Sequence, residues 1–197
     1  MNILDAAGEI ASFLEKHKIP YAVLGGLAVQ FHGEPRFTHD VDLMVLVSPE
    51  KTESFIDRTL AAFQPRISDA KSFAVKNRVL LVLSKDRTPI DISFGIPGYE
   101  EDVIQRSVRH SPRKGLSYNL ISAEDLIIHK CVAGRPRDLE DVESILIHKG
   151  LKVDVSYLRR WLGEFASLID EHDVLGHFET ALNKARRKLN TPKGRKK

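Results

Sequence analysis

An α/β fold, with a short mixed, twisted sheet flanked by helices and a helical C-terminal region, is what the 197-residue sequence predicts. Three observations lead there. Short apolar runs stopped by glycine or proline recur up to about Ile121 and read as strands. From Ser122 onward the apolar spacing takes the period of helices. The composition, 42% hydrophobic and 29% charged, is that of an ordinary globular chain able to bury one good core.

Each element follows in order. Residues 3–17 place Ile3, Leu4, Ala7, Ile10, Phe13 and Leu14 on one helical stripe, and Pro20 ends it. Tyr21–Leu24 is a buried strand stopped by Gly25-Gly26, and residues 27–33 can continue as a helix. Val41–Val47 is a second strand, apolar except for Asp42. Ser48-Pro49-Glu50 is a helix start, carrying that helix to about Phe63. Arg78–Ser84 and Pro89–Phe94 are strands joined by the polar Lys85–Thr88 segment, which predicts an antiparallel hairpin. Residues 99–108 read as helix and Leu116–Ile121 as strand. Helices are then expected over 123–133, 137–149, 155–171 and 173–189. The expected organisation is a core over 1–112, a mainly helical region over 113–190 completing an active-site cleft, and a disordered basic tail over 191–197.

Bulk properties exclude several classes. No apolar run approaches the roughly 20 residues of a membrane helix, and the N-terminus carries acids early without a small-residue cleavage site. The single cysteine, Cys131, permits no intrachain disulfide and disfavours a cysteine-based zinc site; a cytoplasmic location fits. The net charge of +3 conceals an asymmetry. Residues 184–197 hold eight basic residues and no acid, leaving 22 basic against 27 acidic residues elsewhere. Such a basic end attracts phosphate backbones or simply stays solvated.

The chemistry concentrates around Asp40-Val41-Asp42. Side chains alternate along a strand, so the two carboxylates share a face. Like charges that close need compensation, which a divalent cation supplies, and hard oxygen ligands suit Mg²⁺. Asp91, between Ile90 and Ile92, adds a third carboxylate if its strand lies beside the second. Three converging carboxylates would hold two metal ions for in-line phosphoryl displacement. Gly25-Gly26, ending a strand before a helix, lets backbone approach a phosphate closely. Cys131 reads as a core residue, and no histidine pair has metal-ligand spacing.

The segment from Gly25-Gly26-Leu27-Ala28 through Pro35-Arg36-Phe37-Thr38-His39-Asp40-Val41-Asp42-Leu43 resembles the DNA polymerase β-like nucleotidyltransferase superfamily, and within it the AbiEii-type group, which includes toxins of type IV toxin–antitoxin systems. Lys130 in Ile127-Ile128-His129-Lys130, and Arg137-Asp138-Leu139-Glu140-Asp141, resemble that group's later Lys and Arg-Asp-x-x-Asp elements. The resemblance spans about residues 19–146. It implies that an NTP binds with its triphosphate on Gly25 and Gly26, near Thr38, Arg36 and Lys130. It further implies that Asp40, Asp42 and Asp91 bind two Mg²⁺ (Mn²⁺ in its place), and that Asp138 and Asp141 order Lys130 and Arg137 or join the acceptor site. The implied reaction moves NMP to an acceptor hydroxyl, a tRNA 3′ end if the resemblance extends to biology, with a cognate antitoxin as partner. A protein or small-molecule acceptor of antibiotic type stays open, as does a degenerate, non-catalytic nucleotide- or partner-binding module.

Overall fold

The computed structural model describes residues 3–168 and 173–190. Seven strands form one sheet: β1 (Tyr21–Leu24), β2 (Val41–Val45), β3 (Gln64–Pro65), β4 (Val79–Leu83), β5 (Pro89–Phe94), β6 (Val108–Arg113) and β7 (Leu116–Leu120). Their order is β3-β4-β5-β2-β1-β7-β6. The pairs β1–β7 and β2–β5 are parallel, and the other four are antiparallel, so the sheet is mixed as expected.

Among the described residues nine α-helices accompany it. They are α1 (Ile3–Lys16), α2 (Gly25–His32), α3 (Thr52–Ala62, preceded by a 3-10 turn over Pro49–Lys51), α4 (Ala70–Asn77), α5 (Tyr99–Gln105), α6 (Ala123–Ala133), α7 (Pro136–His148), α8 (Val155–Ala166) and α9 (Val174–Asn190). None is long and apolar enough to cross a membrane.

The contacts group into two compact units. The first comprises residues 1–28 and 37–122 and contains the whole sheet; the second comprises 29–36 and 123–197. The hairpin β6–β7 straddles the division expected at residues 112 and 113, and both its strands join the sheet of the first unit. In the first unit, α1 packs on β7, β1 and β2, with Ile10 and Leu14 fully buried. One sheet face is closed by Val23, Val41, Leu43, Val45, Leu80, Val82, Ile90 and Ile92, all buried. Over β4 and β5 the opposite face is only partly covered: Leu81 and Asp91 are half-buried and Ser93 is exposed. In the second unit α6, α7, α8 and α9 pack around Leu126, Val142, Ile145, Leu158, Leu162, Phe178 and Leu182.

Three elements went unread in the sequence: β3, α4 and β6. β3 is two exposed residues long, and α4 buries only Ala70 and Ala74. β6 (VRHSPR) has half-buried positions where a strand pattern would show apolar ones, and a register shift between His110 and Arg113. None carries the apolar periodicity that identifies an element from sequence alone. The helix expected over 155–171 stops at Ala166, and residues 169–172 lie outside the described residues. The tail over 191–197 lies outside them too, while Lys184, Arg186, Arg187 and Lys188 sit on α9.

Candidate active site

The acidic cluster is a product of register. β2 and β5 run parallel, with Asp42 directly opposite Asp91. Paired residues on neighbouring strands share a face, so both carboxylates stand on the partly covered side. Asp40, two residues before Asp42 in the bend that leads into β2, joins them. One carboxylate oxygen from each of Asp40, Asp42 and Asp91 lies within 4.8 Å of the others. All three are half-buried; Asp91, expected to be buried from its isoleucine neighbours, points to the opposite side from Ile90 and Ile92. Three hard oxygen donors at this spacing could hold a metal ion. Oδ1 of Asp91 is shielded from water and accepts no hydrogen bond, its charge being met by an ion pair with Arg66 alone.

Gly25 and Gly26 bound the same spot. β1 pairs antiparallel with β2, bringing Leu24 opposite Asp42, so the turn into α2 lies against the acidic row. Gly25 has φ +65°, and a Cβ there would overlap Asp42 Oδ2. A Cβ on Gly26 would overlap Oγ1 of Thr38. The glycines are therefore the space in which Asp42 and Thr38 sit. Thr38 uses that place to donate a hydrogen bond of 3.0 Å to Asp40 Oδ1, fixing the first carboxylate. Gly25→Ala is expected to cost about 1–2 kcal/mol from the left-handed backbone alone and to displace Asp42. A thermal melt together with a transfer assay checks this; wild-type activity in the Gly25→Ala variant would refute the role given to the glycine.

Asp91 has a further partner that the sequence did not suggest. Nη1 of Arg66 lies 2.7 Å from Asp91 Oδ1, as an ion pair. Its Nη2 donates to Oδ2 at 3.2 Å. Finding Arg66 required the pairing of β3 with β4, and a two-residue edge strand leaves no readable pattern.

The second unit holds its own polar cluster. Lys130 Nζ is buried between Asp138 Oδ1 at 2.6 Å and Asp141 Oδ2 at 3.0 Å. Arg36 grips Asp141 with both ends of its guanidinium, Nε to Oδ1 at 2.8 Å and Nη2 to Oδ2 at 2.9 Å. Arg135 donates to Asp138. The arginines on the two aspartates are thus Arg36 and Arg135, while Arg137 is exposed. Burial would raise the Asp138 carboxyl, but hydrogen bonds from Arg135 and Lys130 outweigh it and hold the group below its ordinary range. Cys131 is buried, and that burial pushes its thiol up to about 12, so it is packed as core and unsuited to be a nucleophile.

Comparisons with known proteins bear on this arrangement. Residues 2–188 match the family described as "nucleotidyltransferase of unknown function (DUF6036)". Among solved structures, an antigenic nucleotidyltransferase-like protein from Paracoccidioides brasiliensis is 17% identical, with a TM-score of 0.55 and 92% of each chain covered. At that identity the likeness concerns the fold. More distant are the lincosamide antibiotic adenylyltransferase LnuA with lincomycin bound (14% identity, TM-score 0.44, 73% of this chain and 94% of that one) and the antibiotic-resistance factor ANT(2'')-Ia (14%, 0.42, 94% and 90%). A comparison with curated proteins found no match. With the family match running through both the acidic sheet and the helical unit, the chain belongs to this nucleotidyltransferase family.

Proposed function

We propose that the chain transfers a nucleoside monophosphate from an NTP to an acceptor hydroxyl with release of pyrophosphate, using Asp40, Asp42 and Asp91 as ligands to two divalent ions, Mg²⁺ in the cell. The observation that carries this reading is the register of two parallel strands, which sets Asp42 against Asp91 with Asp40 beside them. Bound there, the ions would neutralise developing charge on the transferred phosphoryl group. Gly25 and Gly26 leave room for Asp42 and Thr38 to sit against the turn into α2, whose N-terminus would favour the charge of the triphosphate. Thr38 holds Asp40 in place.

Arg36, Lys130 and Arg137 are proposed to face the triphosphate, as their resemblance to the AbiEii-type motifs implies. Lys130 donates to Asp138 and is ion-paired with Asp141, so contact with a phosphate would use a remaining N–H donor. Asp138 and Asp141 are then the residues that fix Lys130 and Arg36 rather than Arg137. For the acceptor we propose the 3′ end of tRNA, with the chain acting as the toxin of a type IV toxin–antitoxin pair in the cytoplasm. The AbiEii-type resemblance and the basic C-terminal residues support this.

Incubation with each labelled NTP in turn, with and without Mg²⁺, against total tRNA and against tRNA-free lysate, tests the reading. We expect Mg²⁺-dependent label on tRNA, lost when the 3′ hydroxyl is oxidised with periodate. Label entering only protein or a small molecule would discard the tRNA acceptor and keep the transferase. No incorporation from any NTP would discard both.

A further inference from the structure

Four strands align one row of side chains. Asp42 pairs with Asp91 across β2–β5, and Asp91 pairs with Leu81 across β5–β4. Pro65 pairs with Val82, and the next amide, Arg66 N–H, donates to the Leu81 carbonyl at 3.0 Å. Arg66 is therefore the outer member of the row Arg66, Leu81, Asp91, Asp42, all on one face. Two inter-strand spacings separate Arg66 from Asp91, roughly 10 Å, a distance that the two side chains close between them. Its guanidinium ends against Asp91 at 2.7 Å and 3.2 Å.

Arg66 and Asp91 are 30% and 27% exposed, so the pair is reachable from solvent and its partners can exchange. Asp91 Oδ2 accepts a hydrogen bond from the guanidinium, and Oδ1 lies against it as an ion pair. A divalent ion shared with Asp40 and Asp42 must take one of those oxygens, and it arrives as a like charge beside Arg66. Attraction of one carboxylate for two cations in contact is opposed by the repulsion between them, and the opposition is strong where water is partly excluded.

We propose that Arg66 is the competing counter-ion of the metal site: it and a divalent cation exchange at Asp91, so this arginine sets how tightly the third carboxylate joins the site. The inference rests on the metal reading of the acidic cluster given above. Arg66 is a positioning residue in this role, acting on substrate only through Asp91. Its consequence is a site that Asp40 and Asp42 open and Asp91 completes only when something further, such as the charge of a bound triphosphate, favours the ion over the guanidinium.

Mn²⁺ titration of the full chain without nucleotide, followed by the electron paramagnetic resonance signal of free Mn²⁺, tests it. Arg66→Gln should bind Mn²⁺ about tenfold more tightly than wild type, and Arg66→Lys, which keeps the charge, should stay close to wild type. In an Asp91→Asn background the Arg66→Gln change should alter affinity less than about twofold, which a merely structural arginine would not reproduce. Affinity of Arg66→Gln equal to or weaker than wild type, with Mn²⁺ bound by both, overturns the exchange and leaves the metal site standing. Binding by neither overturns the metal site and the exchange together. Should Arg66→Gln not fold, the wild type decides: saturating Mg²⁺ must shift the Arg66 Nε–Hε resonance, identified by its loss in Arg66→Lys, and an unmoved resonance overturns the proposal.

Discussion

Asp42→Asn lowers nucleotide transfer by about 10³-fold or more, and leaves the fold intact. The expectation follows from where the residue stands. Asp42 is the middle of three carboxylates, opposite Asp91 in register and two residues from Asp40. The amide that replaces it keeps the shape and removes the charge that a divalent ion needs from that position. The same change relieves repulsion among like charges within 4.8 Å. Its melting temperature should therefore equal or exceed that of the wild type in metal-free buffer, while Mn²⁺ affinity falls. Transfer assays, Mn²⁺ titration and thermal melts on one preparation read all three. Full cellular effect from an Asp42→Asn protein would instead favour a binding module that has outlived its chemistry.

Lys130→Met strikes stability first. Lys130, Asp138 and Asp141 have side chains 8%, 4% and 5% exposed, and the ammonium stands between the two acids. Removing it leaves two buried carboxylates sharing Arg36 and Arg135. Breaking a buried ion pair costs about 3–5 kcal/mol, and the arginines that remain place the loss near 3. That corresponds to a melting temperature lower by roughly 6–12 °C. Adding Asp138→Asn should recover part of it, because the uncompensated charge is then gone. The pH dependence has a definite sign. In the wild type the Asp138 carboxyl is held below its ordinary value, so the unfolded chain takes up the proton first on acidification. The stabilisation is present in full above about pH 4 and fades as pH falls through that value toward the lower folded one. In Lys130→Met, burial acts on Asp138 with less opposition, and protonation relieves it. The gap in stability between the two proteins should narrow as pH falls below about 4, and a gap that stays constant through that range would contradict the assignment.

The sequence carried the site's identity further than its architecture. Asp40-x-Asp42, the glycine pair and Asp91 were legible because charges in apolar strands are costly, and three of them limit what the strands can be for. The hairpin β4–β5 was legible from two apolar runs joined by the short polar segment Lys85–Thr88. The parallel pairing of β2 with β5 was only a condition stated for the carboxylates to meet, since nothing local records which strand lies beside which. Arg66 was invisible for the same reason: its place beside Asp91 depends on two pairings, one of them through a strand of two exposed residues. Lys130 read as a partner for phosphate, whereas its immediate neighbours are Asp138 and Asp141. Spacing along α7 puts those two acids on one helix face but does not say which cation on another helix will meet them. Arg36 was likewise singled out without a sign that Asp141 would hold it.

The alignment of Asp42 with Asp91 joins positions roughly 50 residues apart along the chain, with no hairpin to help them meet. Three acidic groups are thus gathered by a long closure whose entropic cost falls before any reward from the pairing arrives. A ribosome-bound or half-folded chain would own the glycine turn and the Asp40–Asp42 pair yet remain inert. Catalytic competence in this protein accordingly cannot precede the docking of β5 beside β2.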